Sequence, residues 1–347
     1  MSQSLFPPIA SVGALDALRV CSLSHRTCGL PALGDVIAHG DASRLLAALT
    51  AAGIESIVLA TCNRFEVYWR STRSTDDHAV SRAVDAALPL ASGLLDEGAA
   101  RMSGGEAARH LFRVCSGLES VVIGEAEILG QVRAAMEASN PGPFLKGIFT
   151  AGIRTGRTAR AVTGIAHGAM SVASVAVQQL RNLQTGSAMR IVIVGAGGTA
   201  AKVARHVASI GVASLVVANR TLERARELAA MCGGTAIAID ALADEIANAD
   251  VVVCAASSEG WMVTRGHIAD RRARPLILVD IVMPPGIEPF EADGVTRIDL
   301  AAIEQATAEH RRRRADEIPR VEAVIARELD WLQSWAQRRT SRPLSGA

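Results

Sequence analysis

A thiol and a guanidinium stand two residues apart in the stretch Ile57–Tyr68, I-V-L-A-T-C-N-R-F-E-V-Y, where Cys62 and Arg64 follow an apolar, β-branched run. A thiolate can displace an alkoxide from an activated ester, and an arginine can grip a carboxylate or phosphate with two parallel hydrogen bonds. Cys62 is therefore a candidate nucleophile and Arg64 a candidate anion clamp, although an unpaired cysteine beside a strand also serves as a small core hydrophobe. His110, in A-A-R-H-L-F-R-V, has a side chain suited to proton transfer, but with Leu111 and Val114 beside it the default reading is a satisfied core histidine. Ser120, Glu125, Glu127 and Gln131 interrupt an otherwise apolar stretch. Buried polar groups must be paired, so such a cluster is a place for a polar ligand. Arg154, Arg157 and Arg160 recur at i, i+3 and i+6 of a helical run, roughly on one face, which suits phosphate or solvent alike.

These side chains need elements to hold them. Strand-like runs at Ile54–Thr61 and Phe65–Trp69 flank Cys62, a third lies at Ala17–Leu23, and Asp41–Ala52 has helical spacing behind the cap residue Asp41. Together they predict a small α+β unit reaching about Ser92. Its connection Ser24–Pro31, S-H-R-T-C-G-L-P, reads as a turn-rich loop whose His25 and Arg26 are either solvated or at the rim of the site. Helical spacing then runs from Gly104 to Ala138 with a break in the middle.

At Met189 the composition changes. R-I-V-I-V-G-A-G-G-T-A reads as a buried strand, a glycine turn and a helix, and the strand S-L-V-V-A-N-R-T follows. Gly195-x-Gly197-x-x-Ala200 is the fingerprint of a dinucleotide-binding turn, so Gly195, Ala196, Gly197, Gly198, Thr199 and Ala200 are expected to receive a pyrophosphate at the helix N-terminus. A site for NAD would place a carboxylate at the end of the next strand. This chain has Asn219, Arg220 and Thr221 there, which would pair with a 2′-phosphate, and NADPH is the expected cofactor. Strands A-D-V-V-V-C-A-A and P-L-I-L-V-D-I complete the predicted parallel sheet by about Ile281, and M-P-P-G-I-E-P leaves its carboxyl edge. From Asp299 the chain is helical and charged. Pro319 is expected to kink or divide that helix, Glu309 to Arg314 and the later R-R-T-S-R to be solvated faces or RNA phosphate contacts, and the tail after Arg339 to be disordered. The expected fold is α/β in three parts. These are a catalytic, substrate-binding α+β domain over 1–165, an NADPH-binding Rossmann domain over 166–298 and a helical C-terminal segment over 299–347.

Composition narrows the function. With 347 residues and 49% of them apolar, each domain can bury a core. The balance of 36 basic against 35 acidic side chains carries no global nucleic-acid signature, and one tyrosine with six phenylalanines leaves few stacking platforms for single-stranded bases. Six cysteines without CxxC spacing argue against a disulfide framework or a structural zinc site; reduced thiols and no metal are expected. The longest apolar runs are too short to span a bilayer and no leader-like segment opens the chain, so the expected compartment is the cytoplasm with no membrane contact.

Taken together and in order, A-T-C-N-R-F-E-V-Y, G-L-E-S-V-V-I-G-E-A-E-I-L-G-Q-V, G-A-M-S-V-A-S-V-A-V, V-G-A-G-G, A-N-R-T and V-D-I-V-M-P-P-G-I resemble the glutamyl-tRNA reductase family, over about residues 18 to 330. The resemblance implies an N-terminal catalytic domain, a central NADPH domain and a long C-terminal spinal helix leading toward a dimerisation domain. It also implies a reaction, the first step toward 5-aminolevulinate and the porphyrins. Cys62 takes the glutamyl group from glutamyl-tRNA as a thioester, and hydride from NADPH reduces it to glutamate-1-semialdehyde. By the same resemblance Thr61, Asn63 and Arg64 contact the substrate, as do Ser120, Glu125, Ala126, Glu127 and Gln131, while His110 positions the ester or assists proton transfer. Implied partners are the aminoacyl-tRNA, a second copy joined through the C-terminal helix, and a downstream aminomutase.

The chain departs from the family pattern at several positions. Ala126-Glu127 replaces proline-glutamine, S-H-R-T-C-G at Ser24–Gly29 replaces N-H-K-T-A-P, Phe65 replaces threonine, M-P-P at Met283–Pro285 replaces V-P-R, and the sequence ends soon after the spinal helix. A carboxylate at Glu127 would repel a glutamyl side chain. Three rival readings stay open at this point: a paralogue reducing a different aminoacyl-tRNA, a non-catalytic tRNA- or NADPH-binding regulator, and a shikimate-type dehydrogenase that needs neither thiol nor tRNA. The intact T-C-N-R and His110 speak against the regulator.

Overall fold

The computed structural model describes residues 15–61, 63–88, 99–166, 171–183, 189–256, 258, 260–269, 275–308, 312 and 314–340. Cys62 and the tail beyond Thr340 lie outside the described residues, as do four of the six residues of Glu309–Arg314. The chain divides into two compact units, Met1–Ala169 with Arg311–Ala347, and Met170–His310.

The first unit is built on a four-stranded antiparallel sheet of β1 (Leu18–Ser24), β2 (Ser56–Thr61), β3 (Arg64–Arg70) and β4 (Ala100–Ser103), in the order β2-β3-β1-β4. Successive side chains of a strand point to opposite faces, and here both faces are covered. Leu18, Val20, Ile57, Leu59 and Tyr68 pack on helices Gly104–Cys115 and Pro143–Val162; Leu23, Val58, Phe65, Val67 and Trp69 pack on helices His25–His39, Ala42–Ala51 and Ser74–Ala87. Burial on both sides makes β3 buried from Arg64 to Trp69, and puts Arg64, Glu66 and Tyr68 together on one face. The predicted strands and the helix capped by Asp41, which accepts from the Arg44 N–H at 2.8 Å, are all present.

Two expectations for this unit are corrected. The Ser24–Pro31 connection is helical from His25 rather than a loop: the Ser24 N–H donates to Thr27 Oγ1 at 3.0 Å at the start of helix His25–His39, and Gly29 at φ 75° kinks it. Pro31 follows where a fresh turn needs no N–H donor. Pro319 divides the C-terminal helical run, one of the two outcomes expected of it: it falls in the first turn of helix Glu317–Thr340, where proline is tolerated, directly after the turn at 314–316. That helix buries Val321, Val324, Ile325 and Leu332 against the core of the first unit. Arg314 is on no solvated face; it is 7% exposed and donates to the Ile123 carbonyl.

The second unit holds a six-stranded parallel sheet of β5 (Arg190–Val194), β6 (Ser214–Asn219), β7 (Thr235–Ala238), β8 (Val251–Cys254), β9 (Leu276–Asp280) and β10 (Val295–Ile298), in the order β10-β9-β8-β5-β6-β7. Strand order reverses between β5 and β8, which opens a ligand crevice at their carboxyl ends. The sheet does not end at Ile281. Val295–Ile298 adds an edge strand paired with Leu276–Val279, and V-T-R-I is too short and too polar to announce itself. Among the described residues no helix is long and apolar enough to cross a membrane.

Candidate active site

Thr61 and Arg64 are cross-strand partners at the turn end of the β2–β3 hairpin, and Thr61 Oγ1 accepts from the Asn63 N–H at 3.2 Å. Arg64 is 1% exposed. Its guanidinium donates to Glu66 Oε1 at 3.0 Å and to the Glu119 carbonyl at 2.5 Å. Glu66 is wholly buried and is the hub of the site: Oε1 also accepts from Ser22 Oγ at 2.8 Å and meets His110 Nε2 at 2.8 Å, while Oε2 accepts from the Tyr68 hydroxyl at 2.7 Å. Burial alone would push this carboxyl up, but His110, Arg64 and the Tyr68 hydrogen bond outweigh it and hold it well below the ordinary glutamate range. Burial and the neighbouring Glu66 charge push the Tyr68 hydroxyl up, so it stays a donor. His110 stands on helix Gly104–Cys115 with its side chain 15% exposed, at the margin of the face that buries Ala107, Leu111 and Val114.

The segment after that helix carries Ser120 and Glu125. Gly117 and Gly124 sit at φ 77° and 83°, and a Cβ at Gly124 would lie 2.1 Å from the Ile165 carbonyl oxygen, so this loop requires glycine there. The Glu119 side chain bridges Arg26 at 2.8 Å and Arg113 at 2.7 Å. Despite burial, those two guanidinium groups hold its carboxyl below the usual value. Arg26 thus belongs to the wall of the site. Glu125 is 8% exposed, and its carbonyl accepts from Arg160 at 2.6 Å. Arg160 also donates to the Cys115 carbonyl at 2.7 Å, which makes it a tether for this loop. Arg154 instead pairs with Glu328 at 2.7 Å and stacks on Trp331 at 4.1 Å, and Arg157 is exposed. The three arginines therefore form no single phosphate face. At about 100° per residue, i and i+6 diverge by about 120° of arc. Ala126 is exposed, Glu127 opens helix Glu127–Ser139 and Gln131 follows one turn later on the same side, both half-buried.

Three buried polar atoms here lack a hydrogen-bond partner among the described residues: Asn63 Oδ1, Arg64 Nε and Ser120 Oγ. Their residues are 6%, 1% and 1% exposed and adjoin one another through the bond from Arg64 to the Glu119 carbonyl. Buried polar groups are nearly always paired, so a group of three is the signature of a polar recess. Three of the other thiols are unsuited to nucleophilic work: burial pushes Cys21 up to about 11 and Cys115 and Cys254 up to about 12. The five cysteines other than Cys62 are unpaired, and no group of three or more metal-ligating side chains occurs among the described residues.

In the second unit Gly195 ends β5 at φ 114°, its N–H on the Ala218 carbonyl at 2.7 Å; a Cβ there would come within 2.6 Å of Ala256 Cβ. Gly197 and Gly198 are open: a Cβ at either meets nothing within 4 Å. Helix Gly198–Ser209 starts here, with Thr199 half-exposed, Ala196 beside it and Ala200 wholly buried against the sheet. An open glycine cradle over free helix N–H groups fits a pyrophosphate. At the end of β6, Asn219 Nδ2 donates to the Thr221 carbonyl at 2.9 Å, and Arg220 and Thr221 are exposed. This is a nucleotide-binding Rossmann domain of the kind that holds a nicotinamide cofactor.

Sequence reasoning found the hairpin, the loop and the glycine turn but missed Glu66, Ser22, Tyr68, Glu119 and Arg113. The alternation R-x-E-x-Y in a strand otherwise apolar was a usable signal, since it places opposite charges and a hydroxyl on one face.

Residues 21–163 match the family model described as glutamyl-tRNAGlu reductase, N-terminal domain, and residues 175–306 match the model described as shikimate / quinate 5-dehydrogenase, which is confined to the second unit. Glutamyl-tRNA reductase of Thermus thermophilus is 36% identical over 330 residues, 92% of this chain and 80% of the relative. Glutamyl-tRNA reductase of Methanopyrus kandleri is 38% identical over 305 residues, 83% of this chain and 71% of the relative. A solved structure of the Methanopyrus kandleri reductase covers 92% of this chain and 80% of its own, with 31% identity and a TM-score of 0.49. With this extent of identity across both units, the chain belongs to the glutamyl-tRNA reductase family.

Proposed function

We propose that the protein reduces glutamyl-tRNA to glutamate-1-semialdehyde with NADPH, by way of a thioester on Cys62, as the first step of 5-aminolevulinate and porphyrin formation. The observation that carries this reading is the recess of unpartnered buried atoms on Asn63, Arg64 and Ser120, next in sequence or space to the T-C-N-R turn. A glutamyl ester brings an ammonium group, a carboxylate and a carbonyl. Asn63 Oδ1 accepts from the ammonium, and Arg64 Nε–H and the Ser120 hydroxyl donate to the oxygens. Thr61 holds the turn, and Glu125, Ala126, Glu127 and Gln131 line the remaining wall.

The Cys62 sulfur attacks the ester carbonyl, a C–S bond forms and the C–O bond to the tRNA ribose breaks. The thiol proton ends on the departing oxygen, carried by His110. NADPH, when bound, supplies the hydride that takes the thioester carbon to an aldehyde. As the C–S bond breaks, Cys62 leaves as thiolate and is reprotonated. Gly195 to Ala200 hold the pyrophosphate, and Asn219, Arg220 and Thr221, with no carboxylate among them, accept a 2′-phosphate where a carboxylate would favour NAD. A homodimer through the C-terminal helix, delivery of the aldehyde to an aminomutase and a cytoplasmic setting complete the proposal.

The test is intact-protein mass spectrometry after mixing the protein, without NADPH, with a panel of charged tRNAs. A glutamyl adduct that disappears in Cys62→Ser is expected. A different aminoacyl adduct would replace the substrate assignment and make Glu127 its determinant. A folded protein that takes no adduct from any tRNA would refute the thioester mechanism.

A further inference from the structure

Glu66 is anchored too firmly to be a passive counter-ion. Its carboxylate is fixed by Ser22 on β1 and by Arg64 and Tyr68 on β3, is 0% exposed, and still presents Oε1 to His110 Nε2 at 2.8 Å. A carboxylate held at one ring nitrogen selects the tautomer with the proton on that nitrogen. We infer that Glu66 is the positioning residue of His110: it keeps the imidazole proton on Nε2 and thereby makes Nδ1 the nitrogen that accepts the Cys62 thiol proton and returns it to the departing tRNA oxygen. The proton count closes, since one proton leaves sulfur and one arrives on the ribose oxygen while the Nε2 proton stays against Glu66. Positive charge appears on the ring only between those two events, and a buried carboxylate 2.8 Å away stabilises it then. Arg64 balances the resting charge of Glu66, so a neutral His110 does not leave the carboxylate uncompensated. The inference rests on the acyl transfer proposed above.

Two readouts separate positioning from mere structure. The first is the ¹⁵N NMR signature of the histidine tautomers in the full-length protein, with His110 assigned by its loss in His110→Ala. The wild-type ring is expected as the Nε2–H tautomer and Glu66→Gln as a mixture. The second is a cycle of thioester formation rates from glutamyl-tRNA. Glu66→Gln alone is expected to lose about a hundredfold, within the range of general acid–base catalysis, and to cost nothing further when added to His110→Ala. An unchanged tautomer in folded Glu66→Gln, or losses that multiply in the double variant, would overturn the inference. Should Glu66→Gln fail to fold for want of Arg64's counter-charge, Glu66→Asp keeps the charge, withdraws the carboxylate by one methylene and carries the same expectations. If the wild-type protein takes no glutamyl group at all, the proposed function falls, and the tautomer measurement, which needs no tRNA, still decides the role of Glu66.

Discussion

Two glycines of the cofactor turn should respond to the same substitution in opposite ways. Gly195→Ala places a methyl 2.6 Å from Ala256 Cβ and 3.0 Å from the Ala256 nitrogen, at φ 114°. A residue forced into that region costs about 1–3 kcal/mol, and overpacking a close-packed site costs about as much again. The expected loss is about 4 kcal/mol, which for a unit of this size lowers the unfolding temperature by about 10 °C. Gly198→Ala meets nothing within 4 Å and has no left-handed φ, so replacing glycine should leave stability unchanged or raise it by about 0.5 kcal/mol. Its methyl nevertheless stands where the proposed pyrophosphate site meets the helix N-terminus. Cofactor affinity should fall at least about tenfold, or about 1.4 kcal/mol. Thermal unfolding together with fluorescence titration of NADPH reads both effects. The reasoning is refuted if Gly198→Ala binds NADPH like the wild type, or if the two variants lose the same stability.

Ser120→Ala removes a hydroxyl that has no partner among the described residues, so its urea midpoint should match the wild type while thioester formation from glutamyl-tRNA slows about tenfold; an unaltered rate would remove Ser120 from the recess. Arg220→Ala should narrow the preference for NADPH over NADH by about tenfold or more, measured as the ratio of the two cofactors' Kd values, with little change in NADH binding itself. Glu119 titrates below its ordinary value of 4.5, so its contribution to stability is present above that pH and is lost as pH falls through the lower folded value. Urea midpoints taken from about pH 6 down to about pH 3 should therefore drop less steeply in Glu119→Gln than in the wild type. Parallel acid limbs would mean that Arg26 and Arg113 do not stabilise the charge.

The cofactor unit was legible because its signal is local. A strand, a turn that only glycine can make and a helix opening on free N–H groups are set by the backbone of a dozen consecutive residues, and the motif order along the chain carried the family. The T-C-N-R turn was legible for the same reason: two apolar runs around a short polar break make a hairpin. Periodicity also told that Glu66, Arg160 and Arg314 lay in helical or strand-like runs, but it could not tell what they would meet. Glu66 finds Ser22 and His110 44 positions away in either direction, Arg64 finds the Glu119 carbonyl 55 away, and Arg109 finds Glu322 213 away. A buried charge must be neutralised by whatever the fold brings to it, and that pairing is written in no local pattern. Sequence thus determined which groups could do chemistry, and tertiary structure decided which carboxylate holds the histidine, which arginines stabilise loops, and that the C-terminal helix completes the first unit's core.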